Sequence, residues 1–469
     1  MEIELRREFE NRINLFKKIN DKILKNNYNF LKGVEFFRSR DNKFSIYDIK
    51  NYWKKHIQVI KKHERVTLYI HIPFCLKKCD FCCYSSNSYN KPRVDKYLDL
   101  LEFEMEYFKD TFNDFEFDGV YVGGGTPNIL TITELKRLYE KVFSTFKFKE
   151  NMEAKIEMNP FFSTKEKLEY LKSKGFNKVS FGVQSFDGLV LKNANRFYQQ
   201  EKHVERSIKD ANEVGFFEVN ADLMFGLEGD NTEKFIDSLE KLMKIGPNSI
   251  IIYKLMPTPE YFSKYIHNAN NISEEIFTNR YDLNMIFRAI KDLSKEYGYD
   301  CGEDQLNISE KNMGISLKKK SHNRIDGYSY LSANCASCFG IGTHSQSHIF
   351  GDVMYQNRNY PFDITENESV YAGNEISDKR EIISLVVENI IREGKIEVDQ
   401  INKELGIDFF NLYQKEIEFL LESNYIKIVS DEIYLLENSE ISEIELLLFF
   451  GDKNYIRNLI TNLKEVLVK

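Results

Sequence analysis

Short runs of β-branched and aromatic residues alternate along the middle of the chain with longer segments whose apolar residues recur every three or four positions. The first pattern predicts buried strands and the second predicts amphipathic helices. The predicted strands are 66–72, 118–122, 154–158, 178–183, 217–225 and 248–254. The predicted helices are 94–110, 132–143, 165–174, 201–214 and 232–244. This alternation predicts an α/β fold with a parallel sheet, either open and doubly wound or an incomplete barrel, because six units are too few for eight strands.

The segments on either side of this run have other patterns. Residues 1–64 are charged and net basic with apolar residues at helical spacing, which predicts a helical extension packed on the main domain of residues 65–300. Residues 380–469 are predicted to form helices followed by a strand pair, an order typical of a winged-helix-like α+β domain. The acidic composition of that domain argues against DNA binding, which requires a basic recognition face.

Composition adds little to this picture. Of 469 residues, 42% are hydrophobic and 29% are charged, and the formal net charge is −8. These values are ordinary for a globular protein and give no reason to expect a nucleic acid partner. Since no signal peptide or apolar run of membrane-spanning length is evident, we expect a cytoplasmic protein, and we expect a monomer.

The most informative stretch follows the first predicted strand of the main domain. It places Cys75, Cys79 and Cys82 at C-x3-C-x2-C spacing. Soft thiolates select iron–sulfur clusters or zinc. A closed zinc site needs a fourth ligand, and the neighbouring Cys83 is badly placed to supply it. Three thiolates on a [4Fe–4S] cluster instead leave one iron free for a small molecule, so we predict that these cysteines bind such a cluster.

This spacing after a strand resembles the signature of the radical S-adenosylmethionine (SAM) superfamily. The sequence Tyr69-Ile-His-Ile-Pro-Phe-Cys75 looks like the branch of oxygen-independent coproporphyrinogen III oxidase. The resemblance covers about residues 60–440 and implies a partial (β/α)6 barrel. It also implies SAM on the open iron and an electron donor such as flavodoxin or ferredoxin, whose electron cleaves SAM to methionine and a 5′-deoxyadenosyl radical.

Further polar motifs lie at the ends of the predicted strands. Each alone could be a plain turn, a solvated residue or part of the core, but they follow one another in the order of the family's motifs. The resemblance implies SAM contacts from Tyr69, Phe81, Gly124, Gly125, Thr126, Glu157, Gln184, Arg196 and Asp222.

The resemblance implies that residues 301–379 extend the sheet and line the substrate cavity. Cys335 and Cys338 form a second CxxC there. We favour plain buried cysteines over a redox pair, an accessory iron ligand or a zinc site shared with the first motif. His344 and His348 could face the same way on a helical turn, where neutral imidazoles would suit haem iron, or could be two surface histidines.

Two radical reactions fit a relative of these oxidases. Hydrogen loss from a propionate side chain leads to decarboxylation and a vinyl group, whereas hydrogen loss from the methyl group of a second SAM leads to methylation or ring opening. The sequence Cys82-Cys83-Tyr84 departs from the Cys-x-Cys of the decarboxylase, and the two histidines suit haem, so a haem-opening methyltransferase with two SAM molecules is placed first. Asn195-Arg196 favours the second reading, coproporphyrinogen dehydrogenase.

A haem chaperone is the third reading. Its His-Asn-x-x-Tyr-Trp motif is only faintly echoed by His322-Asn323. A peptide substrate stays open as well.

Overall fold

The computed structural model describes most of the chain. Residues 42–60, 64–84, 86–255, 258–265, 280–300, 314–320, 336–359, 369–376 and 395–436 are described, together with parts of 6–14, 381–389 and 439–450. The strands are β1 Asn42–Ser45, β2 Arg65–Ile72, β3 Phe74–Cys75, β4 Asn87–Ser88, β5 Glu116–Gly124, β6 Lys147–Met158, β7 Lys178–Gln184, β8 Glu218–Phe225, β9 Ser249–Lys254, β10 Tyr299–Asp300, β11 Gly314–Lys319, β12 Ala336–Ile341, β13 Gln346–Ile349, β14 Val353–Asn357, β15 Ser369–Glu375, β16 Lys395–Glu397, β17 Ile426–Val429 and β18 Glu432–Leu435.

Helices separate most of the strands of the main domain. They are Ile46–Val59, Lys91–Phe108, Ile132–Thr145, Lys165–Ser173, Gly188–Asn193, Glu201–Val214, Thr232–Ile245, Pro259–Tyr265 and Leu283–Tyr297. Their ends follow local chemistry: Thr131 accepts a hydrogen bond from the backbone N–H of Glu134, which completes a capping box at the start of Ile132–Thr145.

A single run of parallel strands forms the centre of the fold. Strands β2, β5, β6, β7, β8 and β9 are neighbours in that order, and every adjacent pair is parallel. The side chains that line the sheet on its helical side are buried and continuous with those of the helices, as in Val122, Ile156 and Phe181. The predicted α/β fold with a parallel sheet is confirmed.

The sheet continues beyond both ends of this run. Strand β12 pairs in parallel with β2, and β13, β14, β15 and β1 continue from it in antiparallel fashion. On the other side, β11 and β10 follow β9. Strand β1 is therefore part of the large sheet, and Trp53 of the following helix is fully buried and donates a hydrogen bond to the Tyr355 hydroxyl at 2.6 Å.

The C-terminal part contains a small sheet and helices. Strands β16, β18 and β17 are neighbours in that order, with helices Val398–Leu405, Phe409–Leu412 and Gln414–Glu422 packed against them. Phe9 and Ile13 belong to this second core, and the Phe9 ring lies 5.2 Å from that of Phe419. This differs from the prediction that the whole N-terminal extension packs on the main domain, since its first described residues pack on the C-terminal domain.

Several residues singled out in the sequence lie outside the described part of the chain, namely His322, Asn323 and Cys335. Among the described helices, none is both long and apolar enough to cross a membrane.

Candidate iron–sulfur and cofactor site

The three cysteines lie on one loop after β2. Cys75 ends the two-residue strand β3, and its carbonyl accepts a hydrogen bond from the Tyr89 N–H at 2.9 Å, which returns the loop to the sheet. The Cys82 N–H donates to the Cys79 carbonyl at 3.1 Å. All three thiols are free and partly exposed, whereas Cys83 is exposed.

The glycine turn after β5 packs against this loop. A Cβ on Gly125 would lie 3.0 Å from the Cys75 sulfur and 2.7 Å from the Phe74 carbonyl oxygen, so only glycine permits this close approach. The Thr126 hydroxyl donates to the Cys75 sulfur at 3.5 Å, and Arg196 Nη1 lies 3.7 Å from the Cys79 sulfur. A hydroxyl and a guanidinium therefore face sulfurs that would carry negative charge.

The donor set fits a cluster better than a single ion. Among the described residues, no three His, Cys, Asp or Glu side chains are grouped as ligands of one metal ion. In a four-iron cluster each cysteine binds a different iron, so its sulfurs do not converge on one point. Burial raises the pKa of Cys82 to about 12, and the neighbouring thiols Cys79, Cys83 and Cys75 add to that rise. Such thiols are deprotonated when metal binding compensates the charge.

Asp80, between the second and third cysteines, fastens this loop to two other elements. Its carboxylate accepts hydrogen bonds from Lys264 at 2.5 Å and from the Tyr265 hydroxyl at 2.6 Å. It also accepts one from the side-chain amide of Asn195, which donates to the Lys78 carbonyl as well. Asn195 has a φ of 59°, a left-handed conformation that asparagine tolerates better than most residues. We call Asp80, Asn195, Lys264 and Tyr265 the loop clamp.

A carboxylate lies beside the glycine turn. Glu157 accepts a hydrogen bond from the Tyr121 hydroxyl at 2.5 Å and a longer one from the Gly124 N–H at 3.4 Å. Glu157 is near the end of β6, and Tyr121 is on the neighbouring strand β5. Its position at the carboxyl ends of parallel strands is where ligands of such sheets bind.

Asp222 lies on β8, two strands away from Glu157. It accepts hydrogen bonds from Ser180 at 3.1 Å and Asn220 at 2.7 Å. Burial raises the pKa of Asp222 to about 6, Lys155 opposes that rise, and the charge of Glu157 adds to it. The two carboxylates are therefore close enough for the charge of Glu157 to act on Asp222. Their contact with one cofactor stays a prediction.

Gln184 and Arg196 meet beside the end of β7. Gln184 has a φ of 71°, and its side-chain oxygen is buried without a partner. Arg196 Nη2 donates to the Gly182 carbonyl at 2.5 Å and to Gln199 at 2.8 Å, while its buried Nε has no partner. An orphaned acceptor and an orphaned donor in one corner are the groups that a zwitterionic ligand would satisfy.

Tyr69 contacts His71, a residue that the sequence analysis did not single out. The Tyr69 hydroxyl lies 2.8 Å from His71 Nδ1, and the buried His71 Nε2 has no partner. A Cβ on Gly124, whose φ is 111°, would lie 2.7 Å from the His71 ring, so the ring rests against the glycine turn. The sequence did contain a signal for His71: side chains alternate between the two faces of a strand, so Tyr69 and His71 of β2 lie on the same face.

His344 and His348 do not share a helical turn, so that part of the expectation is wrong. His348 lies in β13 and is buried, with Nε2 2.6 Å from a Glu381 oxygen. His344 precedes that strand with a φ of 70°, and its ring centroid lies 6.2 Å from that of His71. Burial lowers the pKa of His344, with Arg358 adding to the effect. Only His344 borders the site.

Two other predicted residues have plain surroundings. Phe81 is partly buried and packs against the main core. Cys338 is fully buried in β12 opposite Thr67, near the start of β2 and away from the cysteine loop at its end. The plain buried cysteine that the sequence favoured is what the structure contains at Cys338.

Comparison with known proteins defines the class. Residues 69–242 match the family model described as the Radical SAM superfamily. The solved structure of coproporphyrinogen III oxidase (HemN) from Escherichia coli, described as a radical SAM enzyme, has a TM-score of 0.69 at 21% identity and covers 86% of this chain and 93% of its own. The likeness to that structure shows the fold, and the family match shows that residues 69–242 are similar to radical SAM domains, a family that implies a [4Fe–4S] cluster and SAM.

Within this class, the chain is similar to proteins of tetrapyrrole metabolism. It is 25% identical to the oxygen-independent coproporphyrinogen III oxidase of Salmonella typhimurium and 26% identical to that of Escherichia coli (strain K12), in each case over 364 residues, 76% of this chain and 78% of the relative. It is also 34% identical to the heme chaperone HemW of Bacillus subtilis over 193 residues, 41% of this chain and 51% of that protein.

Proposed function

We propose that this chain is a radical SAM enzyme that acts on a tetrapyrrole. The observation that carries the proposal is the packing of the three-cysteine loop against the glycine turn of β5, where the Thr126 hydroxyl and Arg196 face two of the sulfurs. Glu157 and Gln184 lie at neighbouring strand ends beside them.

The chain's own residues would divide the work in a simple way. Cys75, Cys79 and Cys82 would hold the [4Fe–4S] cluster, which supplies the electron for reductive cleavage of SAM when both are bound. Glu157 and Asp222 offer acceptors to ribose hydroxyls or to the amino group. The buried Gln184 oxygen would accept from the ligand, and Arg196 Nε would donate to its carboxylate. Tyr69, Phe81, Gly124 and Gly125 would shape the cavity that excludes water from the radical.

The tetrapyrrole assignment rests on the relatives. Coproporphyrinogen oxidases align along three quarters of the chain and of their own length, and a second group of relatives is named for haem. Because this alignment extends well beyond the shared radical SAM domain, it favours a substrate of the same size and chemistry. Oxidative decarboxylation of propionate side chains is the reaction that the alignment supports.

Haem opening by methyl transfer is the second candidate, and His344 favours it. Its imidazole borders the site beside His71, and the lowered pKa keeps it neutral, the form that binds haem iron. Coproporphyrinogen has no iron, so this side chain would have no corresponding partner there. A second SAM molecule belongs to this candidate only.

Product masses after anaerobic incubation of the reconstituted protein with SAM and each tetrapyrrole separate the candidates. Vinyl formation with release of carbon dioxide identifies the decarboxylase. Formation of S-adenosylhomocysteine with loss of the haem Soret band identifies the methyltransferase. Haem binding without turnover of any tetrapyrrole contradicts the proposal and leaves a chaperone.

A further inference from the structure

A strip of aromatic side chains begins beside the cysteine loop and runs along the outer edge of the strand ends. The ring of Phe197 lies 5.9 Å from that of Tyr198, and Tyr198 lies 5.2 Å from Phe161. Phe197 is 62% exposed and Phe161 is 36% exposed. Exposed aromatic rings in contact with one another are typical of a protein-binding surface rather than of scattered surface residues. We call Phe161, Phe197 and Tyr198 the aromatic strip.

The aromatic strip lies next to the thiols. Phe197 directly follows Arg196, whose guanidinium lies 3.7 Å from the Cys79 sulfur. Lys77, on the cysteine loop itself, has its ammonium nitrogen 5.9 Å from the Phe197 ring centroid. The neighbouring Leu76 is 47% exposed and extends the apolar surface over the loop. A protein that covers the strip would therefore also cover the outer side of the cysteine loop.

Positive charges border the strip on both sides. Lys77 and Lys78 are exposed on the cysteine loop. On the far side, Lys202 and Arg206 are exposed and lie near His203, whose ring is 5.1 Å from that of Phe161. Burial lowers the pKa of His203, and the positive charges of Arg206 and Lys202 lower it further. The nearby acidic groups are partly neutralised by other cations: Asp80 binds Lys264, and Glu201 lies 4.0 Å from Lys241. Among the residues that the structure describes, Glu260, close to Lys78, and the exposed Glu205 are further acidic groups near this border.

The charge of the rest of the chain makes this border selective. With a formal net charge of −8, the protein as a whole repels an acidic partner at long range. A local basic border around an apolar strip attracts such a partner in one orientation, which is how charge complementarity sets register and association rate.

We propose that the aromatic strip and its basic border form the docking surface for a small acidic electron-carrier protein that delivers single electrons. The proposal rests on the proposed function, because only a cluster that must be reduced before each SAM cleavage requires such a partner. When the cluster is held by Cys75, Cys79 and Cys82, one electron would pass to it from the reduced carrier, so that the carrier would be oxidised by one electron and the cluster reduced by one. The short separation between the strip and Cys79 suits this transfer, because electron transfer slows steeply with distance.

The test compares two reductants in the reconstituted full chain and follows 5′-deoxyadenosine formation. The first reductant is dithionite, which needs no docking, and the second is flavodoxin kept reduced by its reductase. We expect Lys77→Glu and Phe197→Ala to raise the KM for flavodoxin by about tenfold and to leave the rate with dithionite unchanged. Added salt should raise the KM of the wild type more than that of Lys77→Glu.

A matched control comes from the C-terminal domain, where Lys427 lies over the Tyr434 ring at 5.5 Å. Lys427→Glu makes the same charge change beside an aromatic ring and should alter neither the KM for flavodoxin nor the rate with dithionite. Lys202→Glu, on the far border and away from the thiols, should raise the KM for flavodoxin as Lys77→Glu does, which distinguishes weaker docking from a disturbance of the cysteine loop.

Several results would overturn the docking surface. These are an unchanged KM for flavodoxin in all three strip and border variants, an equal loss with dithionite, or a wild-type dimer that Phe197→Ala converts to a monomer. Absence of 5′-deoxyadenosine from the wild type with dithionite instead contradicts the proposed function. In that case calorimetric titration of the full chain with oxidised flavodoxin still tests the surface, because docking does not require turnover.

Discussion

The ammonium nitrogen of Lys264 lies 2.5 Å from a carboxylate oxygen of Asp80, which ties the helix Pro259–Tyr265 to the loop of the three thiols. Tyr265 and Asn195 hold the same carboxylate. The loop is thus fixed from outside by the loop clamp, through a residue that is not itself a ligand candidate.

Asp80→Ala removes all hydrogen bonds of the clamp to the carboxylate. We expect a loss of roughly 1–3 kcal/mol in the free energy of unfolding, because the part-buried Tyr265 hydroxyl and Asn195 amide are left without their acceptor. Chelator-driven loss of iron from the reconstituted protein should become about tenfold faster. Asp95→Ala is the matched control, since Asp95 binds Lys91 in an exposed pair at 2.7 Å. Equal iron release from both variants would contradict a positioning role for Asp80.

Cys82 and Cys83 are neighbours with different surroundings, and exchanging each for alanine tests the assignment of the third ligand. Cys82 is partly buried and faces the other thiols, whereas Cys83 is exposed. We expect Cys82→Ala to lose most of the iron and the visible absorbance of the cluster, because two thiolates remain. Cys83→Ala should retain both. If Cys83→Ala loses the cluster and Cys82→Ala retains it, the third ligand is Cys83 instead of Cys82.

Glu157→Gln should weaken SAM binding by about tenfold, because a neutral amide replaces the charged acceptor at the glycine turn. Calorimetry on the reconstituted protein measures this change. Tyr121→Phe removes only the hydroxyl that donates to Glu157 at 2.5 Å and should have a smaller effect in the same direction. If Glu157→Gln binds SAM as the wild type does, Glu157 does not contact the cofactor.

Glu104 predicts a dependence of stability on pH. It is buried and accepts hydrogen bonds from the Gly342 N–H and the Asn357 amide, each at 2.6 Å. Burial raises the pKa of Glu104 from 4.5 to about 7. The folded state therefore binds more protons than the unfolded state between these values. The stabilising contribution is complete below about pH 4.5 and is lost as the pH rises towards 7, by roughly 3 kcal/mol at most.

Urea unfolding of the wild type and of Glu104→Gln at pH 5, 6, 7 and 8 checks this dependence. The free energy of unfolding of the wild type minus that of Glu104→Gln should fall as the pH rises from 5 and should level off between pH 7 and 8. A difference that does not vary with pH would show that Glu104 is already ionised in the folded protein at pH 5.

The repeating part of the fold was accessible from the sequence, because each strand and helix carries its own periodicity. The predicted strand 178–183 and helix 201–214 differ from β7 and Glu201–Val214 by at most one residue. The glycine turn and the cysteine spacing were accessible for a similar reason, since their residues are close together in the chain. Whether the predicted SAM contacts bind that cofactor stays a prediction, although the structure brings Glu157, Gln184 and Arg196 to neighbouring strand ends.

The clamp and the histidines could not be predicted in this way. Asp80 meets Lys264 only because the helix after β9 folds back over the mouth of the sheet, and no local pattern encodes that contact. The four-residue spacing of His344 and His348 indicated a helical turn, but β14 pairs with β13 and imposes an extended conformation on His348. Sheet pairing with a distant segment therefore overrode the local spacing.

The packing of Phe9 against Phe419 and Phe449 has a consequence for biosynthesis. During translation, the segment around Phe9 leaves the ribosome long before its partners exist, so its apolar side chains cannot be buried against them until Phe419 and Phe449 have been made. The second core therefore closes only after the residues around Phe419 and Phe449 have left the ribosome. Nascent chains that stall after the parallel sheet would expose the apolar side chains around Phe9, which chaperones would have to shield.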